Sequence, residues 1–261
     1  MLKNLPKYIT DKTIFKMKNA LITGANKGVG FETARQLLEN GYYVFIGSRN
    51  MDNGKSAVQI LNEEGFENVE AIQLDVTDLR SVQEAKKKIE NKTQVLDVLI
   101  NNAGINGGFP QAALEASVES FQNVMETNFY GVIRVTQTFI DLLKKSEQPR
   151  IVNVSSSGCS LTLNCDPNWI YYHHKAAVYP ASKAAMNMYT INLAYELRDT
   201  NFKVNAVCPG FVATDFNGHR GTGTVQEGGQ RIAKFAMIGE DGPTGKFISE
   251  EYNPETGETP W

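Results

Sequence analysis

A tyrosine and a lysine four residues apart, Tyr179 and Lys183, have the types and spacing of an acid–base pair. In a helix, the two side chains would lie one above the other on the same face. The pKa of free tyrosine is ~10, so a phenol alone exchanges protons poorly at neutral pH. An adjacent ammonium favours the phenolate and is expected to lower that pKa. The spacing is common in surface helices, so it predicts proton transfer only if other site residues join the pair.

A glycine-rich turn follows the first predicted strand and opens the first predicted helix. It runs from Thr23 to Gly30 and includes Gly24 and Gly28. Such glycines let the backbone approach a pyrophosphate, and the helix N-terminus beyond them offers unpaired N–H groups. The spacing Gly-x3-Gly-x-Gly differs from the commoner Gly-x-Gly-x-x-Gly. The glycines could instead only pack helix against strand, but the position directly after strand one favours a dinucleotide site.

The end of the second predicted strand favours NADP(H) over NAD(H). NAD sites usually place an acidic side chain there for the ribose hydroxyls, whereas this chain has Ser48 and Arg49. A guanidinium can bind a 2′-phosphate with two hydrogen bonds, and Lys27 in the glycine-rich turn supplies a second cation. The alternative is that both cations are solvated surface residues.

The elements that must position these residues follow from alternating apolar runs and helical patterns. Near-continuous apolar runs are typical of strands buried on both faces, and they cover Ala20–Thr23, Tyr43–Gly47, Ala71–Leu74, Val95–Ile100, Ile151–Val154 and Lys203–Val207, with a last strand within 242–248. Helices are predicted after the glycine-rich turn as far as Gly41, after Thr77 or Asp78, over Glu115–Leu143 and Ser182–Asp199, and near Gln230–Met237. The alternation predicts a Rossmann-type, doubly wound α/β fold, a mostly parallel sheet flanked by helices on both faces in a single domain.

Composition excludes several classes of protein. The 261 residues carry a formal net charge of -3 and are 41% hydrophobic, which gives no reason to expect a nucleic-acid or membrane partner. No stretch reaches the ~20 apolar residues that span a bilayer, and no signal-peptide core is present. Three cysteines, few and odd in number, predict a reducing compartment and a cytoplasmic location. Residues 1–17 are predicted to be an N-terminal extension and residues 18–261 a single dinucleotide-binding catalytic domain.

Several ordered motifs resemble those of the short-chain dehydrogenase/reductase family over roughly residues 18–261. Besides the glycine-rich turn and the Tyr179–Lys183 pair, they are Leu74-Asp75-Val76, Asn101-Asn102-Ala103-Gly104, Asn128, Ser155-Ser156 and Pro209-Gly210. Each motif is weak alone, but their joint order and spacing are specific. Lys27, Arg49 and segment 208–215 make the chain most similar to NADPH-dependent carbonyl reductases.

The resemblance implies a site that transfers hydride between NADP(H) and a carbonyl or alcohol, with reduction of a ketone or aldehyde favoured and no metal. Ser156 would bind the substrate oxygen, Tyr179 would donate the proton, and Lys183 would hold the nicotinamide ribose and lower the tyrosine pKa. Asn128 would hold a water or a helix kink that links Lys183 to solvent. The full set of predicted cofactor contacts is Gly24, Asn26, Lys27, Gly28, Val29, Gly30, Ser48, Arg49, Asp75, Val76, Asn102, Ala103, Gly104, Tyr179, Lys183, Pro209, Gly210, Val212 and Thr214.

Some choices remain open in the sequence. Adjacent strand-end residues point to opposite sides, so only one of Ser155 and Ser156 can face the nicotinamide; the resemblance favours Ser156. The segment 157–178 is longer than in many relatives and rich in aromatic residues. It would border the substrate pocket, cover a surface used elsewhere for oligomer packing, or pack on its own body, so a homo-oligomer is left undecided. The glycine-rich stretch after Asp215 is either a mobile lid or an ordinary loop.

Other residue types give weaker signals. The cysteines and histidines match no zinc spacing, so no metal site is predicted. Cys208 is expected to be buried at a strand end, and His219 to lie on the surface or in a loop. Phe211 and the aromatic residues before Tyr179 favour a bulky apolar carbonyl substrate. The alternative functions are a catalytically silent NADP(H)-binding regulator and a sugar-nucleotide epimerase or dehydratase, although the first usually lacks the tyrosine or lysine and the second usually has a larger C-terminal region.

Overall fold

The structure, a computed structural model, describes residues 17–261, so the predicted extension lies outside the described residues except for its last position. In this range, seven strands form one sheet in the order β3-β2-β1-β4-β5-β6-β7. Every neighbouring pair is parallel. The strands are β1 Asn19–Thr23, β2 Tyr43–Ser48, β3 Val69–Gln73, β4 Val98–Asn101, β5 Arg150–Val154, β6 Lys203–Val207 and β7 Phe247–Ile248. The predicted fold class is confirmed.

Helices connect the strands and cover both faces of the sheet. They are α1 Gly28–Glu39, α2 Met51–Glu63, α3 Leu79–Glu90, α4 Val118–Met125, α5 Gly131–Leu143, α6 Leu161–Asn164, α7 Val178–Glu196 and α8 Val225–Ala236. Of the helices in the described range, none has the length and apolar character needed to cross a membrane.

Alternation along the strands explains why both faces are covered. In β1, Ala20 and Ile22 pack into one apolar cluster, whereas Leu21 between them packs into another. The first cluster includes Leu37 of α1 and Ile232 of α8, and the second includes residues of α3, α5 and α7. Because successive side chains of a strand point to opposite faces, a continuous apolar run requires helices on both sides.

Several predicted elements have different bounds in the structure, and three of them differ for local reasons. The strand predicted over Val95–Ile100 begins at Val98 because the Thr93 hydroxyl accepts from the Val95 N–H at 3.2 Å and donates to its carbonyl at 3.0 Å, which forms a turn. The helix predicted over Glu115–Leu143 is interrupted by a π-helical turn, Glu126–Tyr130, and begins after the capping residue Ser117. The helix predicted over Ser182–Asp199 begins one turn earlier, at Val178, and ends at Glu196.

The strand order places the candidate site. The chain moves outward from β1 to β3 and then returns to β4 on the other side of β1. The loops after β1 and β4 therefore diverge at a topological switch point, where parallel α/β sheets bind ligands at their carboxyl edge. The loops after β5 and β6 begin at the same carboxyl edge. The motifs that follow β1, β4, β5 and β6 therefore converge there.

Candidate active site

The glycine-rich turn is fastened to the loop after β4. The Thr23 hydroxyl accepts hydrogen bonds from the backbone N–H groups of Asn102 and Ala103, both at 3.0 Å. In return, the Asn102 amide donates to the carbonyls of Thr23 and Gly24 at 2.9 and 3.0 Å. A Cβ atom at Gly24 would lie 2.9 Å from the Ala103 Cα, and one at Gly30 would lie 2.4 Å from the Asn102 amide nitrogen. Asn102 thus holds the turn in place. Gly24 and Gly30 are required because the loop after β4 lies too close to the turn for a side chain at either position.

The start of α1 fits a phosphate group. The residue at the N-cap, Lys27, has extended backbone geometry and makes no side-chain cap hydrogen bond. The first-turn N–H groups therefore have no capping side chain, which is the arrangement that binds anions at helix N-termini. Gly28 has φ +60, a conformation that favours glycine. Asn26 is half-buried in the same turn, and Val29 packs towards Gly228 of α8.

The predicted adenine side lies at the ends of β2 and β3. Ser48 is buried and its hydroxyl donates to the Asn50 carbonyl at 2.7 Å, while Arg49 is exposed. Asp75 is half-buried, and its carboxylate accepts from the Thr77 N–H and hydroxyl at 2.9 and 2.7 Å. Val76 is buried. Arg49 is thus the predicted contact whose side chain is free to reach solvent at this edge.

Lys27 has a different partner from the one that the sequence suggested. Its ammonium lies 2.9 Å from the carboxylate of Asp215, and both side chains are more than half exposed. The His219 ring contacts the other carboxylate oxygen at 2.9 Å. Lys27, the main contributor, and His219 hold the pKa of Asp215 below its usual value. Exposed ion pairs are weak because solvent screens them, so this pairing leaves Lys27 able to exchange Asp215 for a phosphate.

The loop after β6 crosses onto the glycine-rich turn. Gly210 has φ +91, and a Cβ atom there would lie 2.2 Å from the Arg231 guanidinium, which donates to the Pro209 carbonyl at 2.8 Å. Val212 is buried. Thr214 lies 3.7 Å, through its methyl group, from the position that a Gly28 Cβ would take. Of the residues predicted at the nicotinamide end, Thr214 therefore lies against the turn predicted to hold the phosphates.

The two adjacent serines after β5 have separate environments. The Ser155 hydroxyl is buried and donates to the Asn187 side chain at 2.7 Å. The Ser156 hydroxyl accepts from the Gly158 N–H at 3.3 Å and lies close enough to the Tyr179 phenol to lower its pKa. The geometry therefore favours Ser156 as the serine that can share a substrate oxygen with Tyr179.

Tyr179 and Lys183 both lie in α7, where Lys183 is 3% exposed. The Lys183 ammonium donates to the Val154 carbonyl at 2.7 Å and lies 5.8 Å from the centroid of the Tyr179 ring. The Ser182 hydroxyl donates to the Tyr179 carbonyl at 2.7 Å. A buried ammonium, a phenol and the Ser156 hydroxyl are thus collected at the carboxyl edge of the sheet.

The expected lowering of the Tyr179 pKa by Lys183 is not what these protein groups produce. Burial raises the pKa of Tyr179 far above its usual value, Cys208 and Cys159 add to the rise, and the nearby Ser156 hydroxyl opposes it. Burial also lowers the pKa of Lys183 to about 8, against an opposing effect of the two cysteines. The reason is that the Lys183 ammonium donates to the Val154 carbonyl, while Lys183 is buried and Tyr179 is half-buried, so both charged forms lose hydration to different extents.

Asn128 occupies the π-helical turn and is fully buried. Its side chain accepts from the Ile105 N–H at 2.8 Å and donates to the Ile105 carbonyl at 2.9 Å and to the Ser182 hydroxyl at 3.0 Å. A Cβ atom at Gly104 would lie 3.3 Å from the Asn128 oxygen. Asn128 therefore joins the loop after β4 to α7 from within the π-helical turn.

The cysteines near the site have structural environments. Cys159 and Cys208 are buried, and burial raises the pKa of Cys159 to about 11. The Cys208 sulfur accepts from the N–H groups of Ser157 and Gly210 at 3.2 and 3.3 Å. Within residues 17–261, no group of three or more histidine, cysteine or acidic side chains is placed to bind a metal.

Two features of the site were missed in the sequence. The ring of Phe216, in the glycine-rich stretch after Asp215, lies 5.4 Å from the Tyr179 ring at an interplanar angle of 63°. Gln111, in the loop after β4, accepts from the Tyr179 N–H at 3.1 Å. The position of Phe216 in the suspected lid was a usable signal, whereas nothing in the sequence marks Gln111.

The aromatic segment before Tyr179 contacts the loop after β6. Tyr171 lies 6.0 Å from Phe211, ring centroid to ring centroid, and its hydroxyl donates to Glu251 at 3.2 Å. The same Glu251 carboxylate accepts from the Phe211 N–H at 3.0 Å. The segment thus both packs on its own body and approaches the candidate pocket.

Fold and site together define a dinucleotide-dependent oxidoreductase, with a glycine-rich turn and a serine, tyrosine and lysine at the switch edge. The family model described as short chain dehydrogenase matches residues 18–224. The chain belongs to the short-chain dehydrogenase/reductase family, as the motifs predicted.

Relatives of known activity cover most of the chain. The (+)-neomenthol dehydrogenase of Capsicum annuum is 32% identical over 301 residues, which cover 88% of this chain and 94% of the relative. The structure of salutaridine reductase from Papaver somniferum has a TM-score of 0.76 at 32% identity and covers 88% of this chain and 99% of that one. An NADPH-bound carbonyl reductase from chicken fatty liver has a TM-score of 0.79 at 25% identity, covering 94% and 100%.

Proposed function

We propose that this chain reduces a ketone or aldehyde with NADPH and that Tyr179 donates the proton. The observation that carries the proposal is the placement of Ser156 near Tyr179, with the buried Lys183 ammonium 5.8 Å from the centroid of the tyrosine ring, at the edge where the glycine-rich turn and the open N-terminus of α1 converge. Two preplaced donors at one point are what the oxygen of a carbonyl needs as negative charge builds on it.

The choice of NADPH rests on charge at the end of β2. Arg49 is exposed there, and the neighbouring Ser48 replaces the acidic side chain that would bind ribose hydroxyls and repel a 2′-phosphate. Lys27 supplies a second cation, held only by an exposed ion pair. When bound, NADPH supplies the hydride that the carbonyl carbon accepts.

The protein's own part is to bind the oxygen and supply one proton. The Ser156 hydroxyl hydrogen-bonds the carbonyl oxygen, and the O–H bond of Tyr179 breaks as a new O–H bond forms on the product alcohol. The raised pKa of Tyr179 keeps the proton on the phenol until charge develops on the substrate. Lys183, whose pKa of about 8 leaves it charged at pH 7, places an ammonium 5.8 Å from the centroid of the ring on which the phenolate forms.

The substrate class follows from the side chains around the tyrosine. Phe216 packs on the Tyr179 ring, and Phe211 and Tyr171 contact each other nearby. Phe211 and Phe216 are 37% and 39% exposed, so apolar surface faces the approach to the phenol. A bulky apolar ketone would cover these rings, and we assign that class to the site.

Replacement of Tyr179 by phenylalanine tests the function. Tyr179→Phe should bind NADPH with unchanged affinity, measured by fluorescence titration, and should lose carbonyl-dependent NADPH oxidation in a screen of aldehydes, quinones and cyclic ketones. Undiminished turnover in that variant would refute the role of Tyr179. Tight NADPH binding by the native protein without oxidation on the whole panel would instead support a catalytically silent regulator.

A further inference from the structure

Helix α7, which carries Tyr179 and Lys183, begins without a capping side chain of its own. Its N-cap residue is Ala177, which has no side-chain acceptor for the N–H groups of the first turn. Gln111, from the loop after β4, fills this role from outside the helix. Its side-chain oxygen accepts from the Tyr179 N–H at 3.1 Å, and its backbone carbonyl accepts from the Ala177 N–H at 2.8 Å. The cap is thus made to the backbone of the tyrosine itself.

The other end of the Gln111 amide is equally engaged. Its nitrogen donates to the carbonyls of Asn106 and Gly108 at 2.5 and 3.0 Å, and the residue is 8% exposed. Because the amide oxygen and nitrogen have distinct partners on opposite sides, the side chain is fixed in one orientation. Gln111 therefore bridges the loop after β4 and the first turn of α7.

Asn106 extends the bridge to the segment that packs on the tyrosine ring. The Asn106 amide nitrogen donates to the carbonyl of Phe216, and its oxygen accepts from the Gly108 N–H at 2.9 Å. Phe216 then closes the circuit, since its ring contacts that of Tyr179 at 5.4 Å. Four residues form a ring of contacts, in which Gln111 is bound to the Tyr179 backbone and Phe216 is packed on the Tyr179 ring.

We propose that Gln111 is a positioning residue, which fixes Tyr179 through its backbone and fixes Phe216 through Asn106. A shift of the first turn of α7 moves the phenol relative to Ser156, and a shift of Phe216 moves the wall of the pocket. The contacts of Gln111 do not depend on what the protein catalyses, whereas their effect on kinetics rests on the proposed function.

Two variants separate the two ends of the bridge. Gln111→Ala removes both, whereas Gln111→Glu keeps an acceptor for the Tyr179 N–H and loses the donation to Asn106. Gln148→Ala is the matched control, because Gln148 also bonds in both directions, to Lys18 and Glu240, but far from the site. Hydrogen exchange of backbone amides, followed by NMR, reports the contacts without any need for substrate.

In Gln111→Ala, exchange should accelerate at the Tyr179 amide and at amides of segment 214–218. In Gln111→Glu, it should accelerate in segment 214–218 and stay near the native rate at Tyr179. The control should change neither. Unchanged exchange at Tyr179 in Gln111→Ala would overturn the proposal, as would equal acceleration across all of α7, which a purely structural role would give.

Kinetics test the consequence for catalysis. Misplacing a reacting group by ~1 Å can cost about 100-fold in rate, so Gln111→Ala should lower kcat by roughly 10- to 100-fold, with the Kd for NADPH within about twofold of native. Gln111→Glu should recover most of kcat and raise KM. If the loss of kcat in both variants is matched by a loss of NADPH affinity or of thermal stability, the positioning role is contradicted. Failure of the native protein to reduce any carbonyl would refute the proposed function alone, since exchange still decides the contacts.

Discussion

Replacing the buried lysine by methionine should make the protein more stable while it destroys activity. Lys183 is 3% exposed, its ammonium has a single hydrogen-bond partner, the Val154 carbonyl, among the described residues, and no carboxylate pairs with it there. A buried charge without an ionic partner is costly, and an apolar side chain of similar shape avoids that cost. Lys183→Met is therefore a substitution for which the structure predicts opposite effects on stability and on catalysis.

The magnitude follows from the pKa of Lys183. Its fall from 10.5 to about 8 corresponds to about 3 kcal/mol of destabilisation while the lysine is charged in both folded and unfolded states. Between these two pKa values the unfolded chain holds the proton more tightly than the folded one, so native stability rises with pH. The destabilisation of the native state by charged Lys183 is complete below pH 8 and disappears above pH 10.5. Between pH 7 and 9.5, it should shrink by about 2 kcal/mol.

Urea unfolding at pH 7 and 9.5 measures both effects. Lys183→Met should exceed the native protein by about 1–3 kcal/mol at pH 7, and the difference should narrow by about 2 kcal/mol at pH 9.5. Lys55→Met, at an exposed position of α2, is the control for loss of a lysine. Its stability difference from the native protein should be the same at pH 7 and pH 9.5. A stability difference between Lys183→Met and native protein that is independent of pH would refute the assigned burial cost. A loss of less than about tenfold in turnover would refute the electrostatic role of Lys183.

Three further predictions concern protonation and charge around the cofactor site. Steady-state reduction should fall as pH rises through about 8, because Lys183 loses its charge while Tyr179 stays protonated; a flat kcat/KM profile from pH 6 to 10 would contradict this. Arg49→Asp should weaken NADPH binding at least about tenfold and NADH binding only slightly, since a carboxylate repels the 2′-phosphate; equal losses in the two fluorescence titrations would exclude the contact. Asp215→Asn should release Lys27 and tighten NADPH binding about two- to threefold at low ionic strength, with the gain lost in high salt; a gain that persists in high salt would assign the effect to something other than charge.

Local spacing was enough to find the residues that cooperate within one element. Tyr179 and Lys183 share one helix, and Gly24, Gly28 and Gly30 share one turn, so their relation depends only on helix and turn geometry. The order of apolar runs was enough to predict the parallel sheet, because strands buried on both faces need helices between them. The helix pair, the glycine-rich turn and the parallel sheet do not depend on how the connecting loops fold.

Contacts between distant segments could not be read in the same way. Lys27 pairs with Asp215, which is 188 positions away in the chain, and nothing local to either residue specifies the other. Gln111 caps a helix that begins 67 positions later, after α4, α5, β5 and α6, so the absent cap at Ala177 could be noticed but not assigned. The π-helical turn at Asn128 interrupts a helix whose apolar pattern continues through it.

The sign of the Tyr179 pKa shift depends on burial, which one helix cannot reveal, and it bears on the direction of the reaction. Oxidation of an alcohol requires the phenolate as the base, and burial opposes that form. Reduction requires a tyrosine that starts as the protonated phenol and a lysine that is charged beside it, and near neutral pH both groups hold those states. The same loss of hydration raises the pKa of Tyr179 and lowers that of Lys183. One physical cause therefore favours carbonyl reduction near pH 7 and limits its range on the alkaline side.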